Sequence, residues 1–586
     1  MAAYQAAFAV ALVAGILAAA VAAVLATKLA GTQQYRASES PEIIASRQQV
    51  HSQPGDAQLR QRYRDLDLKA RREYFVRMRQ ARLGGYLLAA LGGLCIAAAV
   101  AAGALAWKVR PAGPMPEVRA EKRTAGRRAR LAVGGFAAAL MAVGIVAALR
   151  YRDVFTSPPT GRQQSQEAGA SKPAYPSAEE VTANWPRFRG PGGRGVSAYA
   201  NVPTTWNGQT GQGILWRSSI PLPGQNSPIV WSNRVFLTGA DRAKREVFCY
   251  DADTGSLLWR REVRNVPGGP SEVPAVSEEA GLAAPTAATD GRRVYAIFAN
   301  GDLAAFSFDG GGVWARNLGL PKSMYGYASS LAVYYDRVAK PGASGLGAPL
   351  VLIQYDQGYE EDGLSELLAI EGATGRTAWR TRRPVASSWA TPVVADTPGG
   401  PQVITCATPW VMAHDPSDGK EIWRAKCLDG EVAPSPIYAG GLVFAVTPDV
   451  SVSAIRPDGR GDVTSTHIAW RADEGAPDIA SPASDGKTLL LLATQGLLTC
   501  YDAASGKKLY EHQFDGLFRS SPTFAGNRVY VMDEKGVTYV ISAGGSFNLL
   551  ATAEVGEKSN CSPAFADGRI YIRGEENLYC IANKAD

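Results

Sequence analysis

The segment YDQGYEEDG carries four carboxylates that could do chemistry, at Asp356, Glu360, Glu361 and Asp362. Carboxylate oxygens are ligands that hard cations such as Ca²⁺ prefer. The segment could therefore hold a cation, or it could bind a basic partner, and basic residues around RRPVASSW at 382–389 offer the opposite charge nearby. A solvated acidic loop explains the same residues, and it is the interpretation that we favour.

A second candidate is RGPGGRG, in which Gly190, Gly192 and Gly195 have GxGxxG spacing. A dinucleotide site needs a strand before such glycines and a helix after them. Trp185 and Pro191 surround the glycines and no helical pattern follows, so the sequence predicts a structural loop. The chain contains neither GxxxxGK[ST] nor GxSxG.

The histidines and cysteines show no metal-binding spacing. The four histidines are scattered, at His51, His414, His467 and His512. The cysteines form no CxxC, no CxxCH and no adjacent pair, and they are Cys95, Cys249, Cys406, Cys427, Cys500, Cys561 and Cys580. A zinc site, a c-type haem and a vicinal disulfide therefore lack support. We expect mostly buried free thiols, although disulfides are permitted. We predict no catalytic, cofactor-binding or metal-binding residues.

The N-terminal part of the chain has the pattern of a membrane region. Much of the net charge of +7 lies before residue 160, in Arg-rich stretches beside apolar runs, which favours a membrane-flanking role over nucleic-acid binding. Within a membrane region at 1–152, apolar runs at 6–27, 84–107 and 131–149 have the length of membrane-spanning helices. A buried helical hairpin is the alternative.

The remaining N-terminal segments determine the predicted orientation. Residues 57–82 have the spacing of an amphipathic helix, which could lie on the membrane, pair with a partner helix or be solvated. The loop at 108–130 has eight basic residues in 23, against twelve in 56 for the loop at 28–83. The positive-inside rule places the denser loop in the cytoplasm. We therefore predict a multi-pass protein of the bacterial inner membrane, with its C-terminal part in the periplasm beyond a linker at 153–183.

Residues 184–586 contain an internal repeat. SPTFAGNRVYV at 521–531 returns as SPAFADGRIYI at 562–572, which is 41 residues later. Eight copies of this motif lie ahead of β-rich runs, and their marker residues are Pro228, Pro285, Pro392, Pro436, Pro482, Pro522 and Pro563, with Ser330 in the Pro position of the remaining copy. Pro suits an innermost strand beside a central channel, because that strand can spare an N–H, and small residues suit the crowded centre.

Each unit also has a second signal, an acid followed by Gly and then by an aromatic residue at four-residue steps. The clear instances are Asp251, Gly255, Trp259; Glu371, Gly375, Trp379; Asp415, Gly419, Trp423; and Asp502, Gly506, Tyr510. We predict a hairpin between two outer strands, in which the acid accepts turn N–H groups, Gly supplies positive φ and the aromatic seals the gap to the next sheet. The unit at 309–314 is shortened, and the unit ending at Trp470 is lengthened.

The order of the strands favours a closed ring. Eight outer strands are marked by Trp216, Trp259, Trp314, Trp379, Trp423, Trp470, Tyr510 and the region around Leu550. The first precedes the first inner strand, and the final unit stops one strand short. ILWRSSI, near Trp216, can complete the last sheet and cover its edge, whereas an open solenoid would need polar caps. We predict an all-β fold, an eight-bladed β-propeller closed by an N-terminal strand and preceded by an α-helical transmembrane region.

These repeats resemble those of the PQQ-binding-like β-propellers, the superfamily that contains quinoprotein alcohol dehydrogenases and the outer-membrane assembly factor BamB. NWPRFRGPGGRGVS at 184–197 is similar to the lead-in of planctomycete propellers of this type. The resemblance implies a non-enzymatic, BamB-like scaffold that needs no cofactor and binds a protein at the mouth of the propeller. SMYGY at 323–327 and the insertion at 336–349, which is followed by QYDQGYEEDG at 354–363, are the least repeat-like parts and are expected to build that site.

Two alternatives stay open. A quinoprotein dehydrogenase would use PQQ with calcium, and the resemblance then implies a vicinal disulfide, a calcium ligand set and a catalytic Asp. No Cys-Cys pair is present, and turns explain Asp251, Asp415 and Asp502. A ligand sensor signalling through its transmembrane helices is the other alternative. The three predicted helices also depart from the lipidated N-terminus of BamB.

Overall fold

The computed structural model describes residues 175–270, 273–335 and 347–583, together with Ala45. The predicted spans at 6–27, 84–107 and 131–149 and the amphipathic helix at 57–82 lie outside these residues. Within the described ranges, no helix is both long enough and apolar enough to cross a bilayer. All the described strands belong to one compact unit, Gln163–Asp586.

The described chain begins with a short helix and two strands that precede the first blade. Helix α1, Ala178–Ala183, lies in the predicted linker and has a capping box, in which Ser177 Oγ accepts from Glu180 N and the Glu180 carboxylate accepts from Ser177 N. Strand β1 is Val196–Ser197 and strand β2 is Ile214–Ser219.

The first four blades are antiparallel sheets of consecutive strands, because short turns join apolar runs that pack on both faces against neighbouring sheets. Their strands are β3 Ile229–Trp231, β4 Arg234–Ala240, β5 Arg245–Asp251 and β6 Leu257–Glu262; β7 Ala288–Thr289, β8 Arg293–Ile297, β9 Asp302–Ser307 and β10 Gly312–Asn317; β11 Ala332–Tyr335, β12 Pro349–Tyr355, β13 Glu366–Glu371 and β14 Thr377–Arg382; β15 Val393–Thr397, β16 Gly400–Ala407, β17 Trp410–His414 and β18 Glu421–Lys426.

The last four blades repeat the plan with two additions. Their strands are β19 Ile437–Ala439, β20 Leu442–Thr447, β21 Ser451–Ile455 and β23 Ile468–Ala472; β24 Ala483–Ser484, β25 Thr488–Leu492, β26 Leu497–Asp502 and β27 Lys508–Gln513; β28 Thr523–Ala525, β29 Arg528–Met532, β30 Val537–Ser542 and β31 Leu549–Glu554; β32 Ala564–Ala566, β33 Arg569–Arg573 and β34 Asn577–Ile581. Strand β22, Gly461–Asp462, lies between β21 and β23 in the chain but not in their sheet. Strand β22 joins the outer edge of the fourth blade, and β1 joins the inner edge of the seventh.

Ring closure is confirmed. Strand β2 pairs antiparallel with β34, which places Trp216 opposite Cys580 and completes the eighth sheet. Across the seam to the first blade, Arg573 Nη1 donates to Asn226 Oδ1 and to Thr238 O, both at 2.7 Å. The described residues therefore form the predicted all-β, eight-bladed propeller.

The outer tryptophans seal the gaps between blades as predicted. Trp216 Nε1 donates to Ala252 O at 2.9 Å, in the hairpin of the following blade. The same kind of bond joins the pairs Trp259–Phe308, Trp314–Gly372, Trp379–Pro416 and Trp470–Ala503. Each indole thus satisfies its polar N–H while its rings cover the adjacent sheet.

Two outer strands depart from this hydrogen-bonding pattern. In the seventh blade Ala551, opposite Val540, occupies the aromatic position, and Leu550 is exposed. Trp423 donates to Gln402 Oε1 of its own blade. The amide of Gln402 donates in turn to Pro457 O of the lengthened fifth hairpin, so this side chain bridges a gap that the longer hairpin leaves.

The acids of the outer hairpins also differ among themselves. Asp251 Oδ1 accepts from the backbone N–H groups of Asp253 and Thr254, at 3.0 and 2.9 Å. Asp415 and Asp502 accept turn N–H groups in the same way. The longer Glu371 accepts instead from the hydroxyl of Thr374 and from a guanidinium. The turn role is confirmed for the aspartates only.

Candidate functional site

A closed ring of eight hydroxyl groups surrounds the propeller axis, and each comes from the residue two positions before an inner strand. The backbone N–H of each ring residue donates to the hydroxyl of the next at 2.9–3.1 Å, and the residues are Ser227, Thr286, Ser330, Thr391, Ser435, Ser481, Ser521 and Ser562. All eight are buried. We call this set the hydroxyl ring.

The hydroxyl ring corrects the alignment of two repeats. Ser330 occupies the hydroxyl position, so Leu331 takes the place that Pro has in six blades. In the second blade Pro285 precedes the hydroxyl residue Thr286 instead of following it. Small size alone therefore does not explain the serines and threonines, because each also accepts a hydrogen bond that joins adjacent blades.

Residues 184–197 cross the central channel, and we call them the plug. Trp185 exchanges backbone hydrogen bonds with Val230 of the first blade, and Arg187 Nη2 donates to Pro392 O of the fourth at 2.6 Å. The plug then reaches the seventh blade, where Gly195 O accepts from Phe524 N at 2.8 Å and β1 pairs parallel with β28. The first and fourth blades lie on different sides of the axis, so the plug spans the channel.

The GxGxxG glycines all lie in the plug. Gly192 lies within a 3₁₀ turn, Pro191–Gly193, with Gly190 before it and Gly195 after it, and the segment has no strand-turn-helix arrangement. The predicted structural loop is what the structure shows. Two guanidinium groups of the same segment, those of Arg187 and Arg189, are buried beside the axis.

The four acidic residues of YDQGYEEDG do not converge on one point. Asp356 is fully buried and forms an ion pair with the buried Arg383, whereas Glu360 and Glu361 are exposed. Asp362 is the last residue of a 3₁₀ turn, Glu360–Asp362, and its carboxylate accepts from Tyr359 N at the start of the turn. The solvated-loop interpretation describes the two glutamates, and the opposite charge expected near RRPVASSW is supplied by Arg383.

Asp356 belongs to a dense polar cluster beneath the mouth. Its Oδ2 accepts from Ser388 Oγ and from Gln354 Nε2, both at 2.8 Å, and Gln354 Nε2 also donates to Cys406 O at 2.9 Å. Burial raises the pKa of Asp356, although the charge of Arg383 opposes the shift. Both oxygens of the Asp356 carboxylate thus bind partners within this cluster, which connects loops of the third and fourth blades.

The mouth itself is built by the loops between blades. Tyr325 packs edge-on against Trp389, with ring centroids 4.8 Å apart, and Trp389 Nε1 donates to Ser323 Oγ. Ser277, from the segment between β6 and β7, donates its N–H to Met324 O at 2.8 Å. SMYGY thus lies at the mouth, and the predicted insertion contributes only residues 347–349 to the described structure.

The histidines and cysteines of the described ranges are dispersed. His414 is buried in β17, His467 lies 3.6 Å from Asp458, and His512 stacks on Phe547. No group of three His, Cys, Asp or Glu side chains in the described part of the chain could hold a metal. Six cysteines are free and buried, as expected, and burial raises the pKa of Cys427 and Cys561 to about 11, which makes these thiols poor nucleophiles.

Sequence comparison identifies the family. A sequence profile described as outer membrane protein assembly factor BamB matches residues 96–332, 364–477 and 460–546, which is more than half of the chain. The chain belongs to this family. No curated protein matches the sequence significantly.

Two solved structures are similar to this BamB-family chain. BamB from Moraxella catarrhalis is 15% identical, with 63% of this chain and 97% of that chain covered and a TM-score of 0.44. Quinohemoprotein alcohol dehydrogenase from Comamonas testosteroni is 14% identical, with 70% and 82% covered and a TM-score of 0.50. At such low identities the likeness concerns the fold alone.

Sequence reasoning missed two features of this BamB-family propeller. The hydroxyl ring has a visible signal, the repeated Ser-Pro and Thr-Pro pair, whose hydroxyl could have been considered as an acceptor. The plug has no such signal, because its sequence lacks periodicity. Some of the residues that it contacts lie more than 300 positions later in the sequence.

Proposed function

We propose that this BamB-family propeller is a non-enzymatic scaffold that binds a partner protein at its mouth. We further propose that the predicted helices anchor it in the bacterial inner membrane and that the propeller faces the periplasm. The observation that supports the proposal is a turn at the mouth, residues 320–324, which we call the apolar turn. It presents apolar side chains to solvent, with Leu320 49% and Met324 44% exposed.

The apolar turn is held by hydrogen bonds to three neighbouring loops. Lys322 N donates to Gln357 Oε1, and Gly358 N donates back to Lys322 O at 3.0 Å. Met324 O and the hydroxyl of Ser323 accept from Ser277 and Trp389 respectively. Because the turn is already ordered, a partner that buries its apolar side chains incurs little further conformational cost. We propose a partner loop with an exposed apolar residue as the occupant.

The polar groups near the apolar turn form hydrogen bonds and ion pairs within the propeller. Asp356 is engaged by Arg383, Ser388 and Gln354, so it has little capacity left for a calcium ion. This commitment supports the scaffold over a PQQ-dependent dehydrogenase, which the resemblance associates with a calcium ligand set.

Photo-crosslinking of the full-length protein in its membrane tests the proposal. A crosslinking residue in place of Met324 is expected to capture one protein partner, and Met324→Lys should abolish co-purification of that partner. The matched control places the crosslinker at Val313, which is also exposed but lies on an outer strand. Equal capture from both positions would contradict the mouth as the binding site. Dye-linked alcohol oxidation after reconstitution with PQQ and calcium would instead assign the dehydrogenase.

A further inference from the structure

We propose that the propeller axis contains a binding site for one small oxyanion of the carboxylate or phosphate class, formed by Arg187, Arg189 and the hydroxyl ring. This site is separate from the proposed protein-binding turn, and it does not depend on the identity of any partner. The proposal begins with the two guanidinium groups of the plug.

Arg187 and Arg189 are buried without a carboxylate partner among the described residues. Their exposed fractions are 5% and 2%, and neither forms an ion pair with a described acidic side chain. Arg187 Nη2 donates to Pro392 O, and Arg189 donates to Gly193 O and Arg194 O at 3.4 and 3.3 Å. These acceptors are neutral, and Nε of each arginine has no acceptor.

Two like charges in such a place are costly to bury. Burial lowers the pKa of Arg187 to about 10, and burial together with the charge of Arg187 lowers the pKa of Arg189 to about 9. Both guanidinium groups therefore remain positively charged at neutral pH. Elsewhere in the propeller the buried Arg383 is neutralised by Asp356, and the buried Arg573 instead donates to three neutral acceptors, Asn226 Oδ1, Thr238 O and Leu222 O. An anion between Arg187 and Arg189 would supply the missing negative charge.

The guanidinium groups lie next to the hydroxyl ring. Pro392 O, which accepts from Arg187, belongs to the residue that follows Thr391 of the ring. A Cβ on Gly195 would lie 2.6 Å from Arg189 Nη2 and 3.0 Å from Pro522 O, which belongs to the residue after Ser521. One residue of an extended strand spans about 3.3 Å. Both guanidinium groups therefore lie near residues that directly follow members of the hydroxyl ring.

The ring hydroxyls complete the donor set. Each hydroxyl oxygen accepts a backbone N–H and keeps its own proton for donation. Guanidinium and hydroxyl donors together match the oxygens of a carboxylate or a phosphate, with the strongest bonds from the charged donors. The plug contacts Val230, Pro392 and Phe524, which all follow ring residues along the inner strands, whereas the loops of the mouth precede the ring residues. We therefore infer that the anion enters from the mouth.

Calorimetry and thermal unfolding of the full-length protein test the site with inorganic phosphate and with succinate as separate probes. Sodium chloride at matched ionic strength is the reference. We expect saturable binding of one probe per chain and a rise in the unfolding midpoint beyond that in chloride. Arg187→Gln and Arg189→Gln should each weaken binding at least ten-fold, whereas Arg194→Gln, an exposed residue of the same plug, should leave it unchanged.

Equal responses to chloride and to both probes, or full binding by Arg187→Gln, would overturn the proposal. If the Arg187 and Arg189 variants do not fold, crystals of the wild-type protein still test the site. Selenate soaked into crystals should give one anomalous peak between the guanidinium groups of Arg187 and Arg189. A data set without this peak, obtained from protein that also fails to bind phosphate and succinate, would rule out the site.

Discussion

The backbone N–H of Ser562 donates to the hydroxyl of Ser227 at 3.1 Å, across 335 residues of sequence. This bond closes the hydroxyl ring between the last blade and the first. The pairing of β2 with β34 closes the ring at a second place, the outer edge of the eighth sheet. The propeller is therefore joined at both the axis and the rim.

Ser227→Ala should destabilise the closed ring. The N–H of Ser562 would then be buried without its acceptor, which costs about 1–3 kcal/mol. Ser227→Thr is the matched control, because Thr already occupies two ring positions, at Thr286 and Thr391. Denaturant unfolding would measure the difference. Equal midpoints for the two variants would show that the hydroxyl contributes nothing.

Gly506→Ala should be more harmful than Gly430→Ala. Both glycines have positive φ, 71° and 70°, so both substitutions incur a similar backbone cost. A Cβ at Gly506 would also lie 2.5 Å from the ring of Trp470, whereas a Cβ at Gly430 would meet nothing within 4 Å. We expect Gly506→Ala to lose about 1–3 kcal/mol more in the free energy of unfolding. Thermal unfolding of the two variants side by side tests this, and a larger loss from Gly430→Ala would refute it.

Arg383 and Asp356 should be strongly coupled in a double-mutant cycle. Arg383→Met leaves the Asp356 carboxylate buried without its cation, at a cost of about 3–5 kcal/mol. Asp356→Leu likewise leaves the Arg383 guanidinium group buried without its carboxylate partner. The double variant removes both charges, and we expect it to be less destabilised than the sum of the single variants. Additive losses measured by urea unfolding would mean that the pair makes no net interaction.

His414 should make stability depend on pH. Burial and the nearby charge of Arg383 lower its pKa from 6.5 to about 3. Between these values the unfolded chain takes up a proton at this histidine and the folded propeller does not, so acid favours unfolding. The free energy of unfolding should fall by up to about 1.4 kcal/mol per pH unit between pH 6.5 and pH 3, with no contribution above that window.

His414→Gln should remove this part of the slope. His467→Gln, at a partly exposed histidine, is the control and should retain it. Urea midpoints collected across the acid window measure both variants. A slope of unchanged steepness in His414→Gln would show that another group is responsible for the acid sensitivity.

The sequence alone determined the blades, their number and the closure of the ring. These features depend on local patterns, namely alternating apolar runs, turn residues and the Gly and aromatic spacing that ends in Trp259 or Trp379. The closing strand was predictable because the final unit lacks an outer strand and the segment around Trp216 has no blade of its own. Counting the strands in each unit reveals the missing one, and this count requires no three-dimensional information.

The tertiary structure alone decided what lies along the axis. The plug, the burial of Arg187 and Arg189 and the commitment of Asp356 to Arg383 arise from contacts between segments that are distant in sequence. The same acidic segment contains a buried Asp356 and an exposed Glu360, although the residue types are alike. Whether a charge is paired, buried or solvated depends on which loops the ring brings together, because electrostatic energy follows spatial distance and burial, which local sequence patterns do not specify.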